Sequence, residues 1–186
     1  MTTAAEDIVD NLLAQHQQIK TLFAQVAAAQ GPHKEELFHE LVGLLAVHES
    51  VEESLVHPLA EDKLPDGEDV VPPRLAEEQE AKEELAKLYD LGVDHPDFDL
   101  RLTMLRDAVT AHAEAEEEFE FSRLREVVDA DRLEKLTASM RAVSAMSPTR
   151  PHPNVPPKAS ANLLLGPPLA VFDRVRDALR DATKGA

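Results

Sequence analysis

The stretch HESVEESLVHPL, from His48 to Leu59, gives the strongest indication of the fold, because a related stretch returns 64 residues later as HAEAEEEFEFSRL, from His112 to Leu124. Both copies read His-x-x-x-Glu-Glu, and each has an apolar residue three positions after its first glutamate, Leu55 in one and Phe119 in the other. Residues four apart lie on one face of an α-helix, about one turn from each other. Each copy therefore predicts a helix with a histidine and a glutamate stacked on one face.

The repeat extends beyond this motif. Apolar residues recur at intervals of three and four almost throughout the first 145 positions, which predicts helices rather than strands. Two similar helical hairpins packed face to face make an antiparallel up-down four-helix bundle. At the 64-residue offset, Leu41, Leu45, Val51 and Leu55 match Leu105, Val109, Ala115 and Phe119; at an offset of 62, Leu13, His16, Ile19, Phe23 and Val26 match Leu75, Glu78, Ala81, Leu85 and Leu88.

Glycine and proline set the predicted helix boundaries. Pro58 is expected to kink or thin the end of the second helix, because it removes one backbone donor. The stretch EDKLPDGEDVVPP, residues 61–73, is predicted to be a loop. The fold class is all-α, with helices expected at Glu6–Ala29, from near Pro32 to the region of Pro58, at Pro73–Leu91, at Phe98–Val127 and, as a short fifth helix, at Asp131–Ala145.

A change of composition after residue 146 divides the chain into a bundle, residues 1–146, and an extension, residues 147–186. The stretch SPTRPHPNVPPKASAN holds five prolines in sixteen residues and is predicted to be an extended connector. After it, GPPLAVFDRVRDALRDA predicts an amphipathic helix. We expect this helix to fold back on the bundle; binding to a partner or swapping between copies is the alternative. Its apolar face carries Leu169, Phe172, Val175 and Leu179.

Composition excludes several classes of function. The formal charge of −17 argues against binding to nucleic acid or to an anionic membrane, both of which favour a basic surface. No stretch approaches the roughly 20 apolar residues that span a bilayer, and the first residues lack the features of a secretion signal, so the expected location is cytoplasmic. Because the chain has no cysteine, any metal must be held by nitrogen and oxygen ligands.

Polar residues interrupt the predicted apolar faces at similar depths. Each His-x-x-x-Glu pair shares its face with leucine, valine, alanine or phenylalanine, and His16 lies among Leu12, Leu13, Ile19 and Phe23. Unpaired histidines and carboxylates are costly in an apolar interior, where buried charges are usually paired or bind a metal. One shared cation site is the simplest explanation. Its candidate ligands are His16, His48, Glu52, Glu78, His112 and Glu116.

This order of residues resembles the hemerythrin-like (HHE cation-binding) domain family, whose pattern is His, His-x-x-x-Glu, His, His-x-x-x-Glu. The resemblance covers roughly residues 8–127. It implies four antiparallel helices around a non-haem di-iron centre, in which Glu52 and Glu116 bridge the ions and the histidines are terminal ligands. The departure is Glu78, which stands where the family has its third-helix histidine. An extra carboxylate is an acceptable iron ligand, and its charge should favour the ferric state over reversible oxygen carriage.

The resemblance and the donor set together lead to one expected function and an alternative. The leading hypothesis is a di-iron protein that binds or turns over a small oxidant, namely O2, peroxide or NO, with Mn or Zn as other candidate metals. The alternative is an iron- or oxygen-responsive regulator, or a metal buffer, without turnover. A third interpretation is a structural acidic bundle whose inward polar groups hydrogen-bond to one another.

Other polar residues are weaker candidates for the same site. His57, which precedes Pro58, could reach it as a second-shell donor or an extra ligand if the helix end is distorted. Glu49, Glu53 and Glu117 could supply or replace a carboxylate, although exposed positions are expected for them. The remaining histidines are expected on the surface or in turns and the connector: His33, His39, His95 and His152.

Overall fold

The computed structural model describes residues 6–146 of the chain, and the predicted connector and C-terminal helix lie outside this range. Residues 6–146 are helical and contain no strand, so the all-α prediction is confirmed for them. Among these helices, none is long and apolar enough to cross a membrane. The α-helices are α1 (Ile8–Ala28), α2 (Gly31–Val51), α3 (His57–Lys63), α4 (Gly67–Leu91), α5 (Phe98–Glu116), α6 (Ser122–Val127) and α7 (Ala130–Met146).

Two π-helical turns join the shorter helices into longer rods. The turn Glu52–Val56 connects α2 to α3, and the turn Glu117–Phe121 connects α5 to α6. Four rods result: α1, α2 with α3, α4, and α5 with α6. Short connections between long helices make successive rods antiparallel neighbours. Helix α1 packs on α2 and α5, α4 packs on α5, and α7 lies against α1 and α2.

The core consists of two apolar clusters separated along the bundle by polar residues. Leu12 of α1 belongs to one cluster and Ile19 to the other, and His16 lies between them in sequence. Helix α4 shows the same arrangement, with Val71 in one cluster and Leu85 in the other. Burial of apolar surface stabilises the fold on both sides of the polar residues, at roughly 25 cal/mol per Å² removed from water. The bundle is thereby able to hold polar side chains in its middle.

The predicted loop at residues 61–73 is wrong. Helix α3 continues to Lys63 and α4 begins at Gly67, which leaves only residues 64–66 between them. Pro72 and Pro73 lie inside α4, where each removes one backbone hydrogen bond. Both prolines are exposed, and so are Glu68 and Asp69, whose carbonyl groups lose those bonds. Water can therefore replace the missing donors, and the helix continues through the prolines.

The tight α3–α4 connection depends on a glycine and yields a stability prediction. A Cβ atom at Gly67 would lie 2.5 Å from the carbonyl oxygen of Ala60 and 2.7 Å from Cα of Glu61, both of them backbone atoms. The substitution Gly67→Ala is expected to lower the free energy of unfolding by about 1–3 kcal/mol, because the backbone must shift to make room. Urea denaturation measures the change.

Gly43→Ala is the matched control, because a Cβ atom at Gly43, in the middle of α2, would have no atom of the described residues within 4 Å apart from the adjacent backbone of its own helix. Alanine favours a helix interior by about 0.5–1 kcal/mol over glycine, so this variant should be neutral or more stable. Equal effects of the two substitutions would contradict the close packing described for Gly67.

Candidate metal centre

The six candidate ligands lie together in the middle of the bundle, and we call them the polar layer. Glu52 and Glu116 are completely buried, and His16, His48 and Glu78 are each at most 3% exposed. His112 is the most accessible of the six, with 11% of its side chain exposed. The four rods each contribute at least one of these side chains. The layer consists of His16 (α1), His48 (α2), Glu52 (the first π turn), Glu78 (α4), His112 and Glu116 (both α5).

The polar layer divides into two overlapping groups of potential ligands. His16 and His48 form the first group with Glu52 and Glu116, and Glu78 and His112 form the second with the same two glutamates. Within each group, one nitrogen or oxygen atom of every residue lies within 4.8 Å of those of the others. Either group could hold a metal ion. Because both groups contain Glu52 and Glu116, the arrangement suits two neighbouring ions that share these carboxylates.

Most of the atoms that face the centre make no hydrogen bond within the described part of the chain. They include both carboxylate oxygens of Glu52 and both of Glu116. The same is true of Nε2 of His16, Nε2 of His112 and Oε2 of Glu78. Leaving a buried polar atom without a partner costs about 1–3 kcal/mol, and more when the group is charged. These residues therefore fit a bound cation, which would give all of these atoms a partner at once.

Each histidine of the polar layer is held through its other ring nitrogen. Nδ1 of His16 lies 2.8 Å from Oε1 of Glu117, and Nδ1 of His112 lies 2.9 Å from Oε2 of Glu77. Nδ1 of His48 lies 2.9 Å from Oε1 of Gln15. These oxygens accept hydrogen bonds, so each Nδ1 donates a proton and each Nε2 is directed towards the centre. Metal-bound histidines in proteins are usually oriented in this way.

Electrostatics in the polar layer favour a cation. Burial, reinforced by the neighbouring His16, lowers the pKa of His48 to about 3, which keeps its imidazole neutral at neutral pH and able to bind a metal. Burial and the Glu116 carboxylate raise the pKa of Glu52 well above its usual value. Burial also opposes ionisation of Glu116. The charge of His112 outweighs the effect of burial and holds the pKa of Glu116 well below its usual value. A bound cation would relieve the repulsion between these two buried carboxylates.

His57 and Glu120 lie next to the polar layer, and both are completely buried. Nε2 of His57 lies 2.5 Å from Oε1 of Glu78, and Nδ1 lies 2.9 Å from Oε1 of Glu120. Burial disfavours the charged form of His57, but Glu78 and Glu120 outweigh it and raise the pKa of the imidazole well above its usual value. Sequence reasoning missed Glu120, although it lies four residues after Glu116 and so continues the same helix face.

The remaining candidates have other partners. Glu117 supports His16 rather than replacing a carboxylate of the layer, and it is only partly exposed. Glu49 is buried and Glu53 is partly buried, contrary to the exposure expected for them; both contact Nζ of Lys82, which also lies 3.8 Å from Oε2 of Glu78. Lys82 was not predicted. His33, His39 and His95 are exposed, and His152 lies outside the described residues.

A cavity of about 800 Å³ connects the polar layer with the surface. Its inner end is lined by His16, His48, Glu78 and His112, and its outer part runs between α4 and α5. Leu100 and Met104 border the cavity and are more than 60% exposed. Cavities of this size are typical of small-molecule sites. Its apolar walls include Ile19, Leu45, Ala81, Leu105 and Val109.

An all-helical bundle with a buried layer of histidines and carboxylates defines a cation-binding helical domain. The sequence matches the hemerythrin HHE cation-binding domain family over residues 7–144, and the chain belongs to that family. The predicted resemblance is thereby confirmed.

A solved structure of a hemerythrin HHE cation-binding domain-containing protein from Mycobacterium kansasii has a similar fold. The two chains are 22% identical, with a TM-score of 0.65, and the similarity covers 75% of this chain and 86% of the other. No curated protein matches the sequence significantly.

Proposed function

We propose that this chain is a non-haem di-iron protein that binds or turns over a small oxidant, namely O2, peroxide or NO. The observation that carries the proposal is the pair of ligand groups that overlap at Glu52 and Glu116, whose four oxygens make no hydrogen bond in the described residues. His16 and His48 would complete the first metal position. His112 and Glu78 would complete the second.

The donor set favours iron or manganese over zinc. Structural zinc sites are usually complete with four ligands, often including cysteine, in tetrahedral geometry. The polar layer offers three imidazoles and three carboxylates, a mixture that suits Fe(II) and Fe(III) and is also compatible with Mn(II). When bound, the metal pair would supply coordination positions for a small ligand and a source of electrons for it.

The cavity gives a small molecule access to this centre. Three histidines and Glu78 of the polar layer line its inner end, so the ligand positions face open space rather than packed side chains. Ile19, Leu45 and Val109 form part of the walls, and charged residues such as Glu80, Lys87 and Arg101 line other parts. Neutral molecules such as O2, NO and hydrogen peroxide can cross such a surface at little electrostatic cost. This access supports oxidant binding.

The charge of Glu78 decides among the oxidants. A third carboxylate stabilises the more highly charged ferric ions relative to ferrous ions, which opposes reversible oxygen carriage. Lys82 lies 3.8 Å from Oε2 of Glu78 and offsets part of this charge, but Lys82 also contacts Glu49 and Glu53. Peroxide removal or NO handling therefore fits the centre better than oxygen transport.

Anaerobic reconstitution with Fe(II), followed by peroxide and NO consumption assays, tests the proposal. The wild type is expected to retain two iron ions per chain and to consume at least one of the two oxidants. Glu116→Ala should lose both the iron and the turnover, because each ligand group loses a shared carboxylate. Glu118→Ala is the matched control, since Glu118 is exposed two residues away on the same rod.

Two results would speak against the proposed function in different ways. Iron binding without consumption of peroxide or NO would favour the alternative of a regulator or metal buffer. Failure to retain iron would contradict the metal centre itself and favour a structural bundle.

A further inference from the structure

His57 has the same arrangement as the three histidines of the polar layer. Its Nδ1 lies 2.9 Å from a carboxylate oxygen of Glu120, and the corresponding distances for His16, His48 and His112 are 2.8, 2.9 and 2.9 Å. In all four, a side-chain oxygen accepts a hydrogen bond from Nδ1, and Nε2 is directed inwards. Nε2 of His57 also donates to Oε1 of Glu78, and a bound metal ion would replace that proton. Four histidines are thus oriented in the way that is typical of metal ligands.

The inward nitrogen of His57 faces the second group of ligands. Nε2 lies 2.5 Å from Oε1 of Glu78 and 3.8 Å from Oε1 of Glu116. Both carboxylates belong to the group that includes His112. Ligand atoms of one metal ion, each about 2.0–2.2 Å from it, lie about 3–4 Å apart, so a small separation of the hydrogen-bonded His57–Glu78 pair would admit the ion. His57 is therefore placed within reach of an ion held by Glu78 and Glu116.

The π turn explains how His57 reaches the layer. In a regular α-helix, residue 57 would lie about 140° around the axis from Glu52 and would face away from it. In the structure, the backbone N–H of His57 donates to the carbonyl oxygen of Glu52, five residues earlier, which brings the two residues onto nearly the same face. Turns of this kind occur frequently at functional sites. Pro58 follows directly and has no backbone N–H, so the backbone hydrogen bond that would come after that of His57 is missing.

We infer that His57 is a seventh protein ligand of the centre and binds the second metal position through Nε2. The inference rests on the proposed metal centre. It gives each position two imidazoles, His16 and His48 in the first and His57 and His112 in the second. It also accounts for Glu78 on α4, because the histidine that the family pattern places there is supplied instead by α3. Glu120 is then a positioning residue that holds the imidazole.

Proton NMR of the Co(II)-loaded protein tests this inference without any assay of activity. The Nδ1 proton of an imidazole on a paramagnetic ion is shifted far outside the ordinary spectral range, and it exchanges with solvent deuterium. Four such signals are expected for the wild type, one for each histidine whose Nδ1 donates a hydrogen bond to a side-chain oxygen. Three signals, with two Co(II) ions bound, would overturn the inference and make His57 a partner of Glu78 and Glu120 alone.

The variant His57→Gln gives a second measurement. It should lose one of the four signals and bind one of its two ions at least about tenfold more weakly. His39→Gln is the matched control, because His39 is exposed and stacks on Tyr89, and it should keep all four signals. If His57→Gln also keeps all four, His57 is not a ligand. If the wild type binds no ion, the proposed function fails together with this inference.

Discussion

Replacing Glu52 by leucine is expected to stabilise the metal-free protein while abolishing its ability to bind two metal ions. Glu52 is completely buried, neither of its oxygens makes a hydrogen bond in the described residues, and burial with Glu116 raises its pKa. A leucine of similar volume removes this uncompensated polar group. The expected gain in the free energy of unfolding is about 1–3 kcal/mol, measured by urea denaturation in the presence of a chelator.

Glu118→Leu is the control for a general effect of exchanging glutamate for leucine, because Glu118 is exposed. It should change the stability by no more than about 0.5 kcal/mol. If Glu52→Leu instead destabilises the metal-free protein by several kcal/mol, the polar layer is satisfied by its own hydrogen bonds. The structural interpretation of the acidic bundle would then be correct.

Removal of the metal is expected to have the second large effect. A cation that binds only the folded chain stabilises it by about 4 kcal/mol when its free concentration is 1,000 times its Kd. For a chain of this size, such a gain raises Tm by about 10 °C. Thermal unfolding of the iron-loaded and the chelator-treated protein measures the difference. Tm should also rise continuously with free iron, since stabilisation depends on the concentration of the ligand.

Glu116→Ala separates binding at the polar layer from binding to the acidic surface. The chain carries a formal charge of −17, so weak attraction of cations to its exterior is expected in any case. The variant keeps nearly all of that charge but loses a shared carboxylate of the layer. Its Tm should therefore respond little to iron. An equal rise of Tm in the wild type and in this variant would contradict a role for the polar layer.

The sequence contains enough information to place the polar layer, because its signal is periodic. His16 and Glu78 are in phase with neighbours that lie in the core, such as Ile19 and Leu85, and regular helices preserve that phase. The two His-x-x-x-Glu pairs keep the same helical phase. His48 lies in α2 and Glu52 follows its last residue, while His112 and Glu116 both lie in the last turns of α5. The all-helical class and the family could be predicted for the same reason.

Features that depend on contacts between rods could not be predicted in this way. Gln15 and Glu77 support histidines on other helices, and nothing in their local sequence distinguishes them from surface residues. Lys82 likewise acquires its role from carboxylates on the neighbouring rod. These partners are set by the distances between helices, which the spacing of apolar residues does not determine.

Departures from regular helix geometry account for the other differences. The π turns shift the phase of the second and fourth rods, so that His57 faces the layer although the α-helical period places it elsewhere. Proline is not required for such a turn, because Arg123 occupies the place after the second turn that Pro58 occupies after the first. Pro72 and Pro73 do not mark a helix boundary, because the carbonyl groups that lose their hydrogen bonds belong to exposed residues. The low helix propensity of single residues gave a wrong prediction where solvent or tertiary packing compensated for its cost.

We propose that Glu52 and Glu116 are shared by two metal ions inside the bundle. Anomalous diffraction at the iron absorption edge, from crystals grown with Fe(II), would locate such ions. Two separate peaks are expected, one between His16 and His48 and the other near His112 and Glu78, with the two shared carboxylates between them. A single peak, or no peak in the polar layer, would contradict the proposal.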